Sequence, residues 1–159
     1  ACLLRRDFDI LPTDHGRKWF QLFREMESEM PVGNYGASPL SITLLETAID
    51  WQSVSNKRRE NYLTLLQALR EFALLKDLPE DVVPLGLPVR VENRDALRQA
   101  LFDQNIYPPI HWDLAGVVPE HFDESHELSR HILTLICDQR YDERDMEREI
   151  CVVRRVVGT

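Results

Sequence analysis

Residues 39–73 carry an apolar periodicity that only a helix satisfies, and it frames the rest of the chain. Leu44, Leu45, Ala48 and Ile49 fall on one face, and Tyr62, Leu65, Leu66, Leu69 and Phe72 continue at the same spacing. Ser38 can act as N-cap, and Pro39 suits the first helical position. One helix of that length would run roughly 50 Å, more than a small domain needs, and would bridge two packed units or carry a subunit contact. Its polar middle, from Ser53 to Glu60, reads as an exposed helical turn or a kink.

Other elements are placed by the same reasoning. Residues 14–30 read as a helix on Trp19, Leu22, Phe23 and Met26, with Trp19, Phe20 and Phe23 assigned to a core. Residues 1–6 read as a strand; the apolar start Ala1-Cys2-Leu3-Leu4 looks like the middle of one, so the chain is expected to be a fragment. Residues 76–84, with Pro79 and Pro84, form a linker. Beyond it come a strand at 85–91, a helix at 93–104 capped by Asn93, an extended segment at 106–112, a short helix at 125–131, a strand at 132–137 and a final helix at 142–157. Asp142 would cap that last helix, and Met146, Ile150, Val153 and Val157 would face inward. The alternation predicts a small α/β unit.

Bulk properties remove several function classes. The 159 residues carry a formal charge of −8, without the basic patch of a nucleic-acid binder. Three widely spaced cysteines, Cys2, Cys137 and Cys151, support neither a disulfide framework nor a zinc site. No two histidines have the i, i+4 spacing of a helical zinc pair. No apolar run reaches the roughly 20 residues a membrane helix requires, and no signal peptide is visible, so a cytoplasmic location is expected.

Two segments are candidate sites. The loop Val32-Gly33-Asn34-Tyr35-Gly36 precedes a helix start, where free N–H groups and the helix dipole favour a phosphate or carboxylate. Glycine and asparagine there tolerate positive φ, though the residues alone favour a plain turn and cap that binds nothing. The segment Tyr107-Pro108-Pro109-Ile110-His111-Trp112 could wall a substrate pocket or pack as an edge strand. Cys137, at the end of an apolar run, reads as a core cysteine. Lys18, Lys57 and Lys76 lie in polar or helical settings unlike that of a desolvated amine nucleophile.

Taken together, Gly33-Asn34-Tyr35 before a long helix, then Arg58-Arg59-Glu60-Asn61-Tyr62, His111, and the run Ile132-Leu133-Thr134-Leu135-Ile136-Cys137-Asp138-Gln139-Arg140-Tyr141 resemble the C-terminal half of the DegT/DnrJ/StrS family of pyridoxal-phosphate (PLP)-dependent sugar aminotransferases. The resemblance covers essentially the whole chain. It implies a fold type I enzyme, with residues 1–37 ending the large PLP-binding domain, 38–78 forming a long interdomain helix, and 79–159 forming the small α/β domain.

By the same resemblance, Asn34 and Tyr35 would contact the cofactor phosphate across a homodimer interface, and His111 and Tyr107 would lie on the substrate side. The Schiff-base lysine would precede residue 1, so the chain by itself is expected to be inactive. Amino group transfer from an amino acid donor to a keto group, on a nucleotide sugar, would be the activity of the whole protein. The alternative is a non-catalytic α/β dimerisation or interaction module. Gly36 and Pro39 stand where the family usually has an arginine and an acidic residue, and Ile136 where a proline is common. Loss of the arginine removes a bidentate donor for an anionic group.

Overall fold

The computed structural model describes residues 18–158. The strand expected at 1–6 and the loop after it lie outside the described residues. The chain divides into two compact units, one ending at Ala48 and the other beginning at Ile49.

The first unit contains α1 (Lys18–Glu29) and α2 (Pro39–Thr47). Neither helix has a buried residue. Trp19, Phe20 and Phe23 are therefore not core residues of this unit: Trp19 is half-buried, and Phe20 and Phe23 are exposed. Ser38 caps α2 as expected, its Oγ accepting from the Ser41 N–H at 3.1 Å with Pro39 in the first turn.

The expected single helix over 39–73 is in fact two, α2 and α3 (Trp51–Leu69), and the break has a local cause. The Asp50 carboxylate accepts from the Ser53 N–H at 3.1 Å and the Ser53 hydroxyl at 2.7 Å, starting a new helix. Those bonds hold the Asp50 carboxyl below its usual range. An N-cap residue cannot also sit in a helix interior, so apolar periodicity running across Ala48–Trp51 did not suffice to join the segments. The polar stretch from Ser53 to Glu60, read as either a helical turn or a kink, is regular helix.

The second unit adds β1 (Gly86–Arg90), α4 (Arg94–Phe102), α5 (Asp123–His131), β2 (Ile132–Ile136) and α6 (Glu143–Val157). The two strands pair antiparallel, from Gly86 opposite Ile136 to Arg90 opposite Ile132. The chain after α3 lies along the free side of β1, with Leu74 N–H donating to Pro88 O at 2.9 Å and Arg90 N–H to Phe72 O at 2.8 Å. Pro88 is tolerated because its missing N–H faces that irregular side and leaves the pairing with β2 intact. Gly86 admits close approach of β2: a Cβ there would collide with the Leu135 carbonyl oxygen and lie 2.6 Å from Thr134 Cγ2.

The core lies between α3, the two strands, α4 and α6. Tyr62, Leu65, Leu66 and Leu69 of α3 meet Leu87 and Val89 of β1, Leu133 and Leu135 of β2, Leu97 and Leu101 of α4, and Met146, Val152 and Val153 of α6. Cys137 is buried among them, as expected.

Three expectations need correcting here. Residues 106–112 form no strand: Pro108 and Pro109 lack N–H donors, left-handed residues Asn105 and Trp112 flank the segment, and its tie to β2 is Thr134 N–H donating to Pro109 O at 3.4 Å. Asn93 precedes α4 but makes no side-chain cap bond. The inward face of α6 is Met146, Glu149, Val152 and Val153, with Ile150 and Val157 only partly buried. Asp142 does cap α6, in a reciprocal capping box with Asp145.

Candidate functional site

The Gly33–Tyr35 loop of the first unit is fully exposed, with Tyr35 at 73%. Its backbone turns by a Tyr35 N–H to Gly33 O bond of 3.0 Å. Left-handed backbone is absent from this loop, so the expected use of positive φ does not hold; among the described residues it occurs at Asn105, Trp112, Gly116 and Gly158. Gly33 serves a different purpose, since a Cβ there would press on the Tyr35 ring at 2.6 Å. Asn34 and Tyr35 thus stand on an exposed turn, with the capped start of α2 following.

Tyr107 and His111 belong to the second unit. Ile106 and Ile110 anchor their segment against the core, and Pro108 is buried. Tyr107 Oη donates to Asn105 Oδ1 at 3.3 Å, and its ring packs 5.3 Å from Phe102. His111 is half-buried, with its ring 5.7 Å from that of Trp112. Trp112 is 78% exposed at φ 61°, a conformation that a bulky residue holds only under constraint. The constraint is visible: Ser129 Oγ donates to Trp112 O at 3.0 Å, and Asp113 Oδ1 accepts from Ala115 N–H at 3.0 Å. This segment is an aromatic edge pinned at both ends, and it brings Tyr107 and His111 onto one stretch of the second unit.

A second polar cluster had no assigned role in the sequence. Arg58 Nε donates to Gln139 Oε1 at 2.7 Å, Nη1 to Pro84 O at 3.0 Å, and Nη2 to Asp138 Oδ2 at 3.3 Å. Asn61 Nδ2 donates to the Asp138 and Tyr141 carbonyls, each at 3.0 Å. Burial works to raise the Asp138 carboxyl, but its bonds to Arg140 and the charges of Arg140 and Arg58 prevail and hold it below its usual range. Burial pushes the adjacent Cys137 thiol up to about 11, against the pull of Arg58, so it is protonated at neutral pH and no nucleophile. Burial likewise raises the Tyr62 phenol. A cleft of about 470 Å³ opens beside this cluster, lined by Trp51, Val54, Ser55, Arg58, Leu85 and Gln139.

Glu149 is the other residue that apolar periodicity concealed. It lies on the inward face of α6, 1% exposed, and accepts from the Ile136 N–H at 3.0 Å. Burial pushes its carboxyl up to about 8, with the Ile136 bond pulling the other way. Among the described residues no three His, Cys, Asp or Glu side chains converge as a metal site. Of the lysines, Lys57 pairs with Glu60 at 3.2 Å and Lys76 Nζ donates to the Arg70 and Glu71 carbonyls.

This architecture is similar to that of known sugar aminotransferases. It matches a DegT DnrJ EryC1 StrS aminotransferase from Brucella abortus with a TM-score of 0.57 and 22% identity, over 73% of this chain and 34% of that one. It matches a sugar aminotransferase from Micromonospora echinospora with a TM-score of 0.55 and 13% identity, over 72% of this chain and 33% of that one. The chain therefore spans about a third of the length of either structure. No protein-family model matches the sequence, and no curated protein sequence matches it. The fold is an α/β portion of the sugar-aminotransferase architecture, with six helices and a two-stranded antiparallel sheet among the described residues. No helix among those residues is long and apolar enough to cross a membrane.

Proposed function

We propose that this chain is the C-terminal portion of a PLP-dependent aminotransferase that passes an amino group from an amino acid, such as glutamate, to a keto group on a nucleotide sugar. The fold shared with two aminotransferase structures over nearly three quarters of the chain is the observation that supports this reading. In it, residues 1–37 end the large domain, 38–78 connect the domains, 79–159 form the small domain, and the protein acts as a cytoplasmic homodimer.

The residues present fit one part of the cofactor and not another. Asn34 and Tyr35 carry hydrogen-bonding side chains on an exposed turn, suited to a phosphate presented by a neighbouring subunit. Lys57 and Lys76 are engaged with acceptors and Lys18 lies exposed on α1, so covalent attachment falls to a lysine upstream. When bound, PLP supplies the electron sink for amino transfer. This chain's part is to bind and orient. Asn34 and Tyr35 hold the phosphate, while Tyr107 and the half-buried His111 form one wall for the reactant.

In the product of the whole reading frame, Asn34→Ala should weaken retention of PLP by about tenfold while leaving pyridoxal, which lacks the phosphate, unaffected. Equal loss of both ligands, or of neither, would remove Asn34 from the phosphate site.

A further inference from the structure

We propose that Arg98 is an oxyanion-binding residue beside the Tyr107–His111 segment, taking a carboxylate or phosphate group of a reactant; this rests on the aminotransferase reading above. Among the described residues four arginines are half-buried: Arg58, Arg59, Arg94 and Arg98. Three of them have acceptors. Arg58 is held by Gln139, Asp138 and Pro84; Arg59 donates to the Pro79 and Val82 carbonyls; Arg94 donates to Asp95 Oδ1 at 2.8 Å and Ser129 O at 3.0 Å. Arg98 has none, and its Nε is sealed from solvent without a partner.

An Nε–H so placed is unfavourable for the chain alone, because water has been withdrawn from that group and no acceptor replaces it. The surroundings nevertheless fix its position. Phe102, one turn along α4, lies under it with the guanidinium carbon 4.6 Å from the ring centroid. The same ring contacts Tyr107 at 5.3 Å. Arg98 is thus a preoriented planar fork with uncommitted donors, joined through Phe102 to the side chain that the aminotransferase reading places against the reactant. Such a fork matches groups that present two oxygens together, which carboxylates and phosphates do.

The test is a titration of the isotope-labelled chain with inorganic pyrophosphate and, separately, with glutamate. It is followed at the arginine Nε–H signals in wild type, Arg98→Gln and Arg98→Lys, with circular dichroism confirming that each variant is folded. The Arg98 signal should move saturably, with binding at least about tenfold weaker in Arg98→Gln and intermediate in Arg98→Lys, which keeps the charge but not the fork. Tighter binding of pyrophosphate assigns the site to a phosphate group; tighter binding of glutamate assigns it to a carboxylate. An Arg98 signal that moves with neither anion, or folded Arg98→Gln that binds as well as wild type, overturns the proposal. Saturable binding here in a protein that transfers no amino group would retain the site and remove the aminotransferase reading. Amino transfer with an unchanged KM in Arg98→Gln would do the reverse.

Discussion

Arg58→Ala is expected to destabilise the second unit by about 1–3 kcal/mol, the range for leaving buried acceptors without their donor, because Asp138 keeps Arg140 as a partner. Both side chains of the Arg58–Asp138 pair are only 17% exposed, so solvent screens the pair weakly. The loss also extends beyond one charge. Arg58 spans from α3 to the carbonyl of Pro84 before β1 and to Asp138 and Gln139 after β2, and its removal leaves the Pro84 carbonyl and the Gln139 amide oxygen without that donor. Arg58→Lys should recover part of the loss, because it restores charge but cannot reach three directions at once. Chemical denaturation of wild type, Arg58→Ala, Asp138→Asn and the double variant measures this directly. A coupling energy near zero, with Arg58→Ala within about 0.5 kcal/mol of wild type, would show that the cluster is incidental.

Glu149→Gln is expected to change how stability depends on pH. In the folded chain burial raises this carboxyl to about 8, from an ordinary value of 4.5. The native state therefore keeps a proton that the unfolded chain gives up. Glu149's contribution is fully present below about 4.5 and declines as pH rises toward about 8, by roughly 1.4 kcal/mol per unit, then levels off. Wild type should thus lose several kcal/mol relative to Glu149→Gln across that window. The glutamine keeps an oxygen for the Ile136 N–H and has no charge to desolvate. The difference between the two stability profiles isolates Glu149 from other titrating groups. Parallel profiles from pH 5 to 8 would mean that the carboxylate ionises in place without penalty.

What the sequence disclosed, and what it withheld, follows from how local each determinant is. Asp142 and its capping box with Asp145 lie within four consecutive residues, and the start of α6 was legible. The strands at 86–90 and 132–136 were legible as apolar runs between turns. The break before α3 was written in Asp50 and Ser53, but apolar residues spaced helically on either side outweighed it. The irregular path of 106–112 depends on left-handed residues Asn105 and Trp112, which no composition rule assigns to a tryptophan.

Glu149 and Arg98 were hidden for a different reason. One shares a helix face with Met146 and Val153, and the other with Phe102, so each could be seen only once tertiary neighbours supplied or withheld a partner. Of the candidate site, the aromatic segment and the exposed turn were recognisable as sequence. The Arg58–Asp138–Gln139 cluster joins residues some eighty positions apart, beyond the reach of any local pattern.

The most direct measurement is amino transfer by the product of the whole reading frame, from glutamate to a nucleotide-linked keto sugar, read as release of the keto acid of glutamate. Release that requires both PLP and the sugar is the predicted result. A folded protein that retains no PLP and releases no keto acid with any nucleotide-linked keto sugar would contradict the account.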